Sequence, residues 1–457
     1  MQVDWLFLGE KMKRKLNSIL NVVLLVVVCL AIFSGCNAEK VDPWEVESSL
    51  NWVGHIVKAM YGWIGSYGWT VVVFTVFLKL LMLPLDIWQR YSGKKMSAKM
   101  AIMQPYIAEI DKRYGPDSQK GAEEKQKLFK KHGYNMGASC LPMIVTMAVF
   151  MTMFSGLRSY STYSTVQTFN ALSQTYYQTY AEKIVNVTPS TDAEQKAHDL
   201  FVASYTANGG KLVDGKYVAD FTKEEYSRIS QSIKAVQDAM DSLKSSAVAT
   251  DKTLGNDLDQ LLAKHGVSAR EAVQTKYSEV EEGWLWIQNV AQPDTWESIM
   301  PKYDSGSNSF TALIDMSNYG GDGKVLYNTI REAVLSTGDR GEKGNWNGLM
   351  ILPILSIGLS FLSMFISQAM ERKKTDPSKQ TSVDTQQQKS NKITMLMMPL
   401  MMAYFGFIYT GAFGIYMVCN YLISILSTVA LKVPVEKMVE RNLAKHPVDN
   451  GKASYMR

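Results

Sequence analysis

Lys79 stands inside the apolar run Thr70–Leu85 (TVVVFTVFLKLLMLPL), a place where a charge calls for an explanation. A lysine at the centre of a membrane helix costs about 2.5–3.5 kcal/mol on insertion scales, so it normally faces protein or water. Two readings fit the residue. It either snorkels to an interface or points into a water-accessible cavity within a helical bundle, and its place midway between Trp69 and Trp88 favours the cavity. Thr75, Lys79 and Asp86 fall on one helix face. So do Ser356, Ser360, Ser363 and Ser367 in one later apolar run, and Tyr416, Asn420, Ser424 and Ser427 in another. Thr146 and Thr152 add hydroxyls to a fourth. Small hydroxylated residues also serve close helix packing in lipid, so the serine stripe alone has two explanations. Lys79 and Asn420 are harder to account for by packing. The chemistry on offer is a positive charge with polar company inside an apolar bundle. No Ser/His pair, HExxH or paired Asp occurs in the spans, no metal-ligand spacing occurs, and no cofactor is implied. The chain is not expected to be an enzyme.

The elements that hold these residues are read from hydropathy. Apolar runs of membrane-crossing length occur at Trp63–Trp88, Ala138–Leu157, Leu349–Met370, Ile393–Thr410 and Gly414–Leu431. The expected fold is an all-α polytopic membrane protein: a five-helix transmembrane core, a helical hairpin and a large, mostly helical insertion. An earlier run, Ile19–Phe33, follows Lys13, Arg14 and Lys15 and ends in Phe33-Ser34-Gly35-Cys36. A basic start, an apolar middle and small residues before a cysteine describe an export signal of lipoprotein type over 1–35, with Cys36 as lipid acceptor. An uncleaved anchor is the alternative. The four cysteines show no disulfide framework.

Charge orients the spans. Residues 89–135 carry 11 Lys+Arg against 5 Asp+Glu, 371–392 carry 6 against 3, and the tail from Lys432 carries 6 against 3. Residues 160–346 are acidic, 17 against 25. Basic loops mark the cytoplasmic side, and five spans put all three basic segments there. The expected order is therefore an extracytoplasmic amphipathic segment (36–62), first span (63–88), cytoplasmic hairpin (89–137), second span (138–158), extracytoplasmic region (159–347), third span (348–370), cytoplasmic loop (371–392), fourth and fifth spans (393–431) and a basic cytoplasmic tail (432–457). The mature N-terminus lies outside and the C-terminus inside. Trp63, Tyr67, Trp69, Trp88 and Tyr91 suit interfacial belts.

Periodicity fills in the rest. Trp44, Val46, Leu50, Val53, Val57 and Met60 predict an amphipathic helix lying on the bilayer, or an extension of the first span. Met96, Met100, Met103, Ile107, Ile110 and Tyr114 form one stripe, Gly115-Pro116-Asp117 breaks the chain, and a charged helix follows over Ser118–His132. This basic hairpin suits anionic lipid, ribosomal RNA or a translocation partner, or only spaces two spans. Helices are expected near Ala193–Ala207, Lys223–Lys244, Leu254–His265 and Ala269–Glu282, with a tight hairpin turn at Val213-Asp214-Gly215-Lys216. Lys302–Asn345 reads as a polar insertion, and His198 and His265 are isolated. Many of the 26 methionines lie in the spans, where they suit varied apolar partners and ordinary cores alike.

The chain resembles YidC-type membrane protein insertases. The residues that carry the resemblance run in order: Tyr67-Gly68-Trp69, Phe77 through Leu85, Met103-Gln104-Pro105, Lys130 through Asn135, Cys140-Leu141-Pro142-Met143, Trp284-Leu285-Trp286-Ile287 with Pro293-Asp294, Met398-Pro399-Leu400-Met401, and Tyr416 with Asn420. The lipoprotein-type signal is similar to that of Gram-positive members. The resemblance implies a multi-pass protein of the bacterial plasma membrane that inserts and helps fold integral membrane proteins. Nascent chains and the lipid bilayer would be its partners, with the Sec translocon and ribosome met through the basic hairpin and tail. It further implies a cytoplasm-open groove formed by Lys79, Thr75, Thr146, Ser360, Ser363 and Asn420. The family's intramembrane arginine is Lys79 here, which keeps the charge and loses the planar donor set; the family's second-span glutamine corresponds to Thr146. A small-solute transporter or channel and an extracytoplasmic assembly scaffold are the rival readings. Against the transporter stand the lack of paired midplane acids and of repeated spans.

Overall fold

A computed structural model describes residues 40–115, 118–131, 136–218, 221–304, 309–317, 319, 323–336, 345–371 and 404–445, with backbone alone at 136–147, 371, 443 and 445. The signal segment with Cys36, the loop 372–392, most of the fourth expected span and the end of the tail lie outside these residues. The helices are α1 (Trp52–Ile64), α2 (Tyr67–Tyr114), α3 (Gln119–Lys131), α4 (Met136–Val185), α5 (Asp192–Ala207), α6 (Lys223–Lys244), α7 (Ala249–Val280), α8 (Phe310–Leu313), α9 (Gly323–Leu335), α10 (Ile351–Glu371) and α11 (Gly411–Lys445). Residues 404–408 are also helical. Among the described residues there is no strand, only isolated bridges.

Three of these helices are long and apolar enough to cross a membrane: Tyr67–Tyr114, Ile351–Met370 and Gly411–Asn442. The second expected span falls on α4.

The chain divides into two units. The first contains 56–158 and 350–457. Here α2 packs on α11, α10 on α11, and α3 folds back on α2. Gly65, at φ +72°, ends α1 by donating its N–H to the Tyr61 carbonyl at 2.8 Å, a left-handed turn that glycine makes without strain. The helix α2 then runs for 48 residues, through Pro84 and Pro105. The span and the first arm of the hairpin are thus one rod, not two elements. A proline removes one hydrogen bond, and a helix that long and packed on two others retains the rest. It stops where expected, at Gly115, with Lys112 and Arg113 in the last turn complementing the helix dipole. Met103, Ile107 and Leu128 form a small core between α2 and α3. Elsewhere in this unit Phe154 meets Tyr409 and Phe413 edge-on, at 4.4 and 5.4 Å.

The second unit contains 38–55 and 159–349. Its core joins Phe169, Phe310, Tyr327, Tyr226 and Tyr319 to apolar faces of α5, α6, α7 and α9. Phe310 stacks on Tyr327 at 4.0 Å. Thr191 and Glu194 form a capping box at the start of α5, and Thr222 caps α6 by accepting from the Glu225 N–H at 3.2 Å. Val213 and Lys216 exchange two backbone hydrogen bonds of 2.9 Å across Asp214 (φ 51°) and Gly215 (φ 74°), the two-residue turn its sequence predicts.

Three expectations are corrected. The two helices expected over 254–282 are one, α7, which passes through Gly266. The polar insertion 302–345 contains α9, whose Leu326, Tyr327, Ile330 and Val334 are buried. The stripe from Trp44 to Met60 is not one helix. Asn51 accepts from the Gly54 N–H at 2.8 Å and starts α1 there, whereas Trp44 packs against Tyr319, Phe221 and Tyr226 at 5.2–5.7 Å in the second unit's core.

Candidate functional site

A cavity of about 660 Å³ lies within the first unit, walled by α2, α4, α10 and α11. Its polar lining is built by helical repetition. From α2 come Thr75, Lys79, Asp86 and Arg90; from α11 come Tyr416, Asn420 and Ser424 at four-residue spacing; α10 adds Ser367. Leu78, Met82, Val149, Phe150, Met153 and Met417 supply apolar wall.

Three of the six groove residues expected from sequence therefore meet around one space: Thr75, Lys79 and Asn420. Lys79 is half-buried, and among the described residues it makes no hydrogen bond or ion pair. The charges that act on it are Asp86 and Arg90 of its own helix. Thr75 is fully buried and donates to the Val71 carbonyl at 2.7 Å, so its hydroxyl is satisfied within α2. The α10 serines divide. Ser367 lines the cavity and donates to the Ser363 carbonyl at 2.9 Å. Ser360 is buried and acts on the Tyr421 hydroxyl of α11, Ser356 donates to the Pro353 carbonyl at 2.8 Å, and Ser363 is half-buried outside the lining. Ser360 thus meets a neighbouring helix, the packing role that small hydroxylated residues play in membranes, while Ser356 is satisfied within α10. The side chain of Thr146 and all of Cys36 lie outside the described residues.

Charged residues beyond Trp88 also belong to the cavity. Arg90 donates to Ser427 Oγ at 3.2 Å, Lys94 pairs with Glu436 of α11, and Lys432 completes that end. Sequence reasoning gave Arg90 and Lys94 to the cytoplasmic hairpin and Lys432 to the tail, because the hydropathy runs end at Trp88 and Leu431. The signal that would have found Arg90 is its spacing of eleven residues from Lys79, three helical turns on the same face.

Among the described residues no cluster of three His, Cys, Asp or Glu could hold a metal ion. The cavity gathers charged and polar side chains, among the described residues without a nucleophile paired to a base. Fold and cavity together define a polytopic helical membrane protein with a polar, cation-bearing interior.

Comparison with known proteins narrows the class. The sequence model of the 60Kd inner membrane protein family matches residues 59–191 and 270–438, more than half of the chain. The chain belongs to this family, and it is a membrane protein of bacterial type. It is 35% identical over 114 residues to the membrane protein insertase YidC of Caldanaerobacter subterraneus, a match covering 25% of this chain and 53% of that protein. It is also similar to the proteins of the same name from Stenotrophomonas maltophilia (35% over 99 residues; 22% of this chain, 17% of that one) and Oleidesulfovibrio alaskensis (31% over 124 residues; 25% and 22%). The chain thus spans about half the length of the first of these relatives and about a fifth of the other two. Residues 192–269, which carry α5, α6 and the first part of α7, fall outside the family match.

Proposed function

We propose that this protein inserts other membrane proteins into the bilayer and helps them fold. The observation that carries this reading is Lys79 within a cavity that Thr75 and Asn420 share, in a chain whose relatives bear the name membrane protein insertase. In the proposed arrangement five spans form the core and the mature N-terminus, lipidated at Cys36, lies outside. The hairpin of α2 and α3 and the basic tail lie in the cytoplasm, where they meet the ribosome and the Sec translocon. The cavity opens to the cytoplasm and is closed on the outer side.

No covalent step is needed. The polar end of an incoming segment enters the cavity while its apolar helix slides along the bundle surface. Water held by Asn420 and, in this reading, Thr146 lowers the cost of carrying polar groups part-way across. Hydrophobic partition then completes the transfer. Lys79 attracts acidic residues of the translocated tail. The test is reconstitution in liposomes with a short single-span substrate bearing an acidic N-terminal tail. Lys79→Ala is expected to lower its insertion several-fold; insertion equal to the unaltered protein would defeat the charge-attraction step.

A further inference from the structure

We propose that residues 283–300 and 345–349 form a membrane-docking block, which seats Leu285 and the indoles of Trp296 and Trp346 in the lipid interface at the head of α10. Its partner is the bilayer surface. The inference does not depend on the insertase reading and needs only that α10 crosses the membrane.

The block is one hydrogen-bonded piece. Asn347 is fully buried; its side chain accepts from the Asn289 N–H at 2.7 Å and donates to the carbonyls of Asn289 and Pro293 at 2.9 and 2.7 Å. The Gln288 N–H donates to the Asn347 carbonyl at 3.0 Å, and the Gly348 N–H to the Thr295 carbonyl at 2.9 Å. Buried Asp294 receives the Leu349 N–H at 2.9 Å and the Trp286 indole N–H at 3.3 Å. The two parts of the sequence pattern Trp284–Ile287 and Pro293-Asp294, which the cavity does not use, are thus joined here.

Chain length places this block. The membrane-crossing stretch of α10, Ile351–Met370, has 20 residues. At 1.5 Å per residue it is about 30 Å long, the thickness of the hydrocarbon core with nothing to spare. Ile351 therefore stands at an interface. Leu349, held by Asp294, precedes it by two residues, a reach of at most about 7 Å. The block is tied to the headgroup level by covalent chain.

What the block exposes there is apolar. Leu285, Trp296 and Trp346 are 67%, 60% and 56% exposed. Leu285 is also a costly residue for its backbone. Trp284 and Ile287 exchange hydrogen bonds of 2.8 and 2.9 Å across a two-residue turn, and Leu285 takes φ 52° at the position where such turns favour glycine. A side chain there strains the backbone, and an exposed leucine is unfavourable in water. Glycine would serve the fold better, so the leucine tip is explained by something apolar that receives it. Tryptophan favours the headgroup level, where its ring is sheltered and its N–H stays wet. Charge narrows the driving force. No lysine or arginine occurs between Lys276 and Lys302, and Glu297 is exposed, so docking rests on apolar partition and not on attraction to anionic headgroups.

The test uses the full-length protein, its four native cysteines replaced, in liposomes containing doxyl-labelled phosphatidylcholine. A bimane probe on Leu285→Cys, Trp296→Cys or Trp346→Cys is expected to be quenched by the lipid label. The same probe on Val248→Cys, exposed at the far end of the 32-residue α7, is expected to be quenched by aqueous iodide instead. Removing anionic lipid from the mixture should change neither reading; loss of lipid quenching without it would overturn the partition argument. Iodide quenching at the three block positions equal to that at Val248 would overturn the proposal. Shielding from both agents would mean that protein covers the block, and would overturn it too. Leu285→Gly relieves the turn and is expected to hold or raise the thermal midpoint. A lowered midpoint would show that the leucine serves the fold and not the lipid.

Discussion

Lys125 Nζ and Asp111 Oδ1 form an ion pair of 2.5 Å between α3 and α2, with their side chains only 10% and 14% exposed. Each partner lies one helical turn from a member of the small apolar core that joins the two arms, Asp111 from Ile107 and Lys125 from Leu128. The clasp turns a charged helix, which alone has little apolar face to bury, into one arm of a packed hairpin. Removing one partner of a buried pair is strongly destabilising because the other charge is left uncompensated. Lys125→Ala should therefore loosen the hairpin by about 2–4 kcal/mol, and the double change K125M/D111L should recover most of that. Hydrogen exchange across 100–131 measures both. Equal protection in the single variant and the unaltered protein would show that the apolar contacts hold the hairpin without the pair.

Gly255 marks a close approach in the second unit. A Cβ there would stand 2.8 Å from the Lys244 nitrogen and 3.1 Å from the Leu243 carbonyl carbon, at the end of α6. Backbone cannot swing aside as a side chain can. Alanine gains about 0.5–1 kcal/mol of helix propensity over glycine, but overpacking costs about 1–3 kcal/mol. Gly255→Ala should thus lower the thermal midpoint of this unit and speed exchange in α6 and α7. A raised midpoint would mean that the α6–α7 turn has room to move.

His265 gives the same unit a pH dependence. It packs edge-on to Tyr180, ring centres 6.2 Å apart, and burial first, then Lys264 and Lys183, hold its pKa below the usual 6.5; Glu194 opposes this. The unfolded chain therefore takes up the proton first as pH falls. Stability contributed by neutral His265 is complete above about pH 7 and declines below about 6.5. His265→Gln should flatten the fall in unfolding midpoint between pH 7.5 and 5. Parallel pH curves for the two proteins would refute the assignment.

Much of this structure was legible where periodicity is strong. The helix α6 begins and ends at Lys223 and Lys244 as its apolar face predicts, and α5 starts one residue earlier than expected, at its Thr191 cap. Legibility failed where tertiary contacts override local signals. The first span read as ending at Trp88 with the hairpin as a separate element, yet α2, packed on α11, runs through both without a break. Trp44 looked like one position of a lipid-facing stripe, because sequence cannot show the aromatic box that receives it. The apolar face of α9 was hidden by its Gly-, Ser- and Asn-rich flanks. In the cavity, Lys79, Thr75 and Asn420 were found because an intramembrane charge and an intramembrane amide are costly. Ser360 turned to Tyr421 instead, since a stripe of small residues reveals a face but not the helix that meets it. Arg90 escaped because it lies past the end of the apolar run.

The claim on which the functional reading rests is that position 79 faces water reached from the cytoplasmic side alone. Cysteine placed there, in a protein whose four native cysteines are replaced, can be labelled by a membrane-impermeant maleimide applied to either face. The account predicts labelling at Lys79→Cys from the cytoplasmic face and none from outside. Labelling from the outer face, or protection from both, would contradict it.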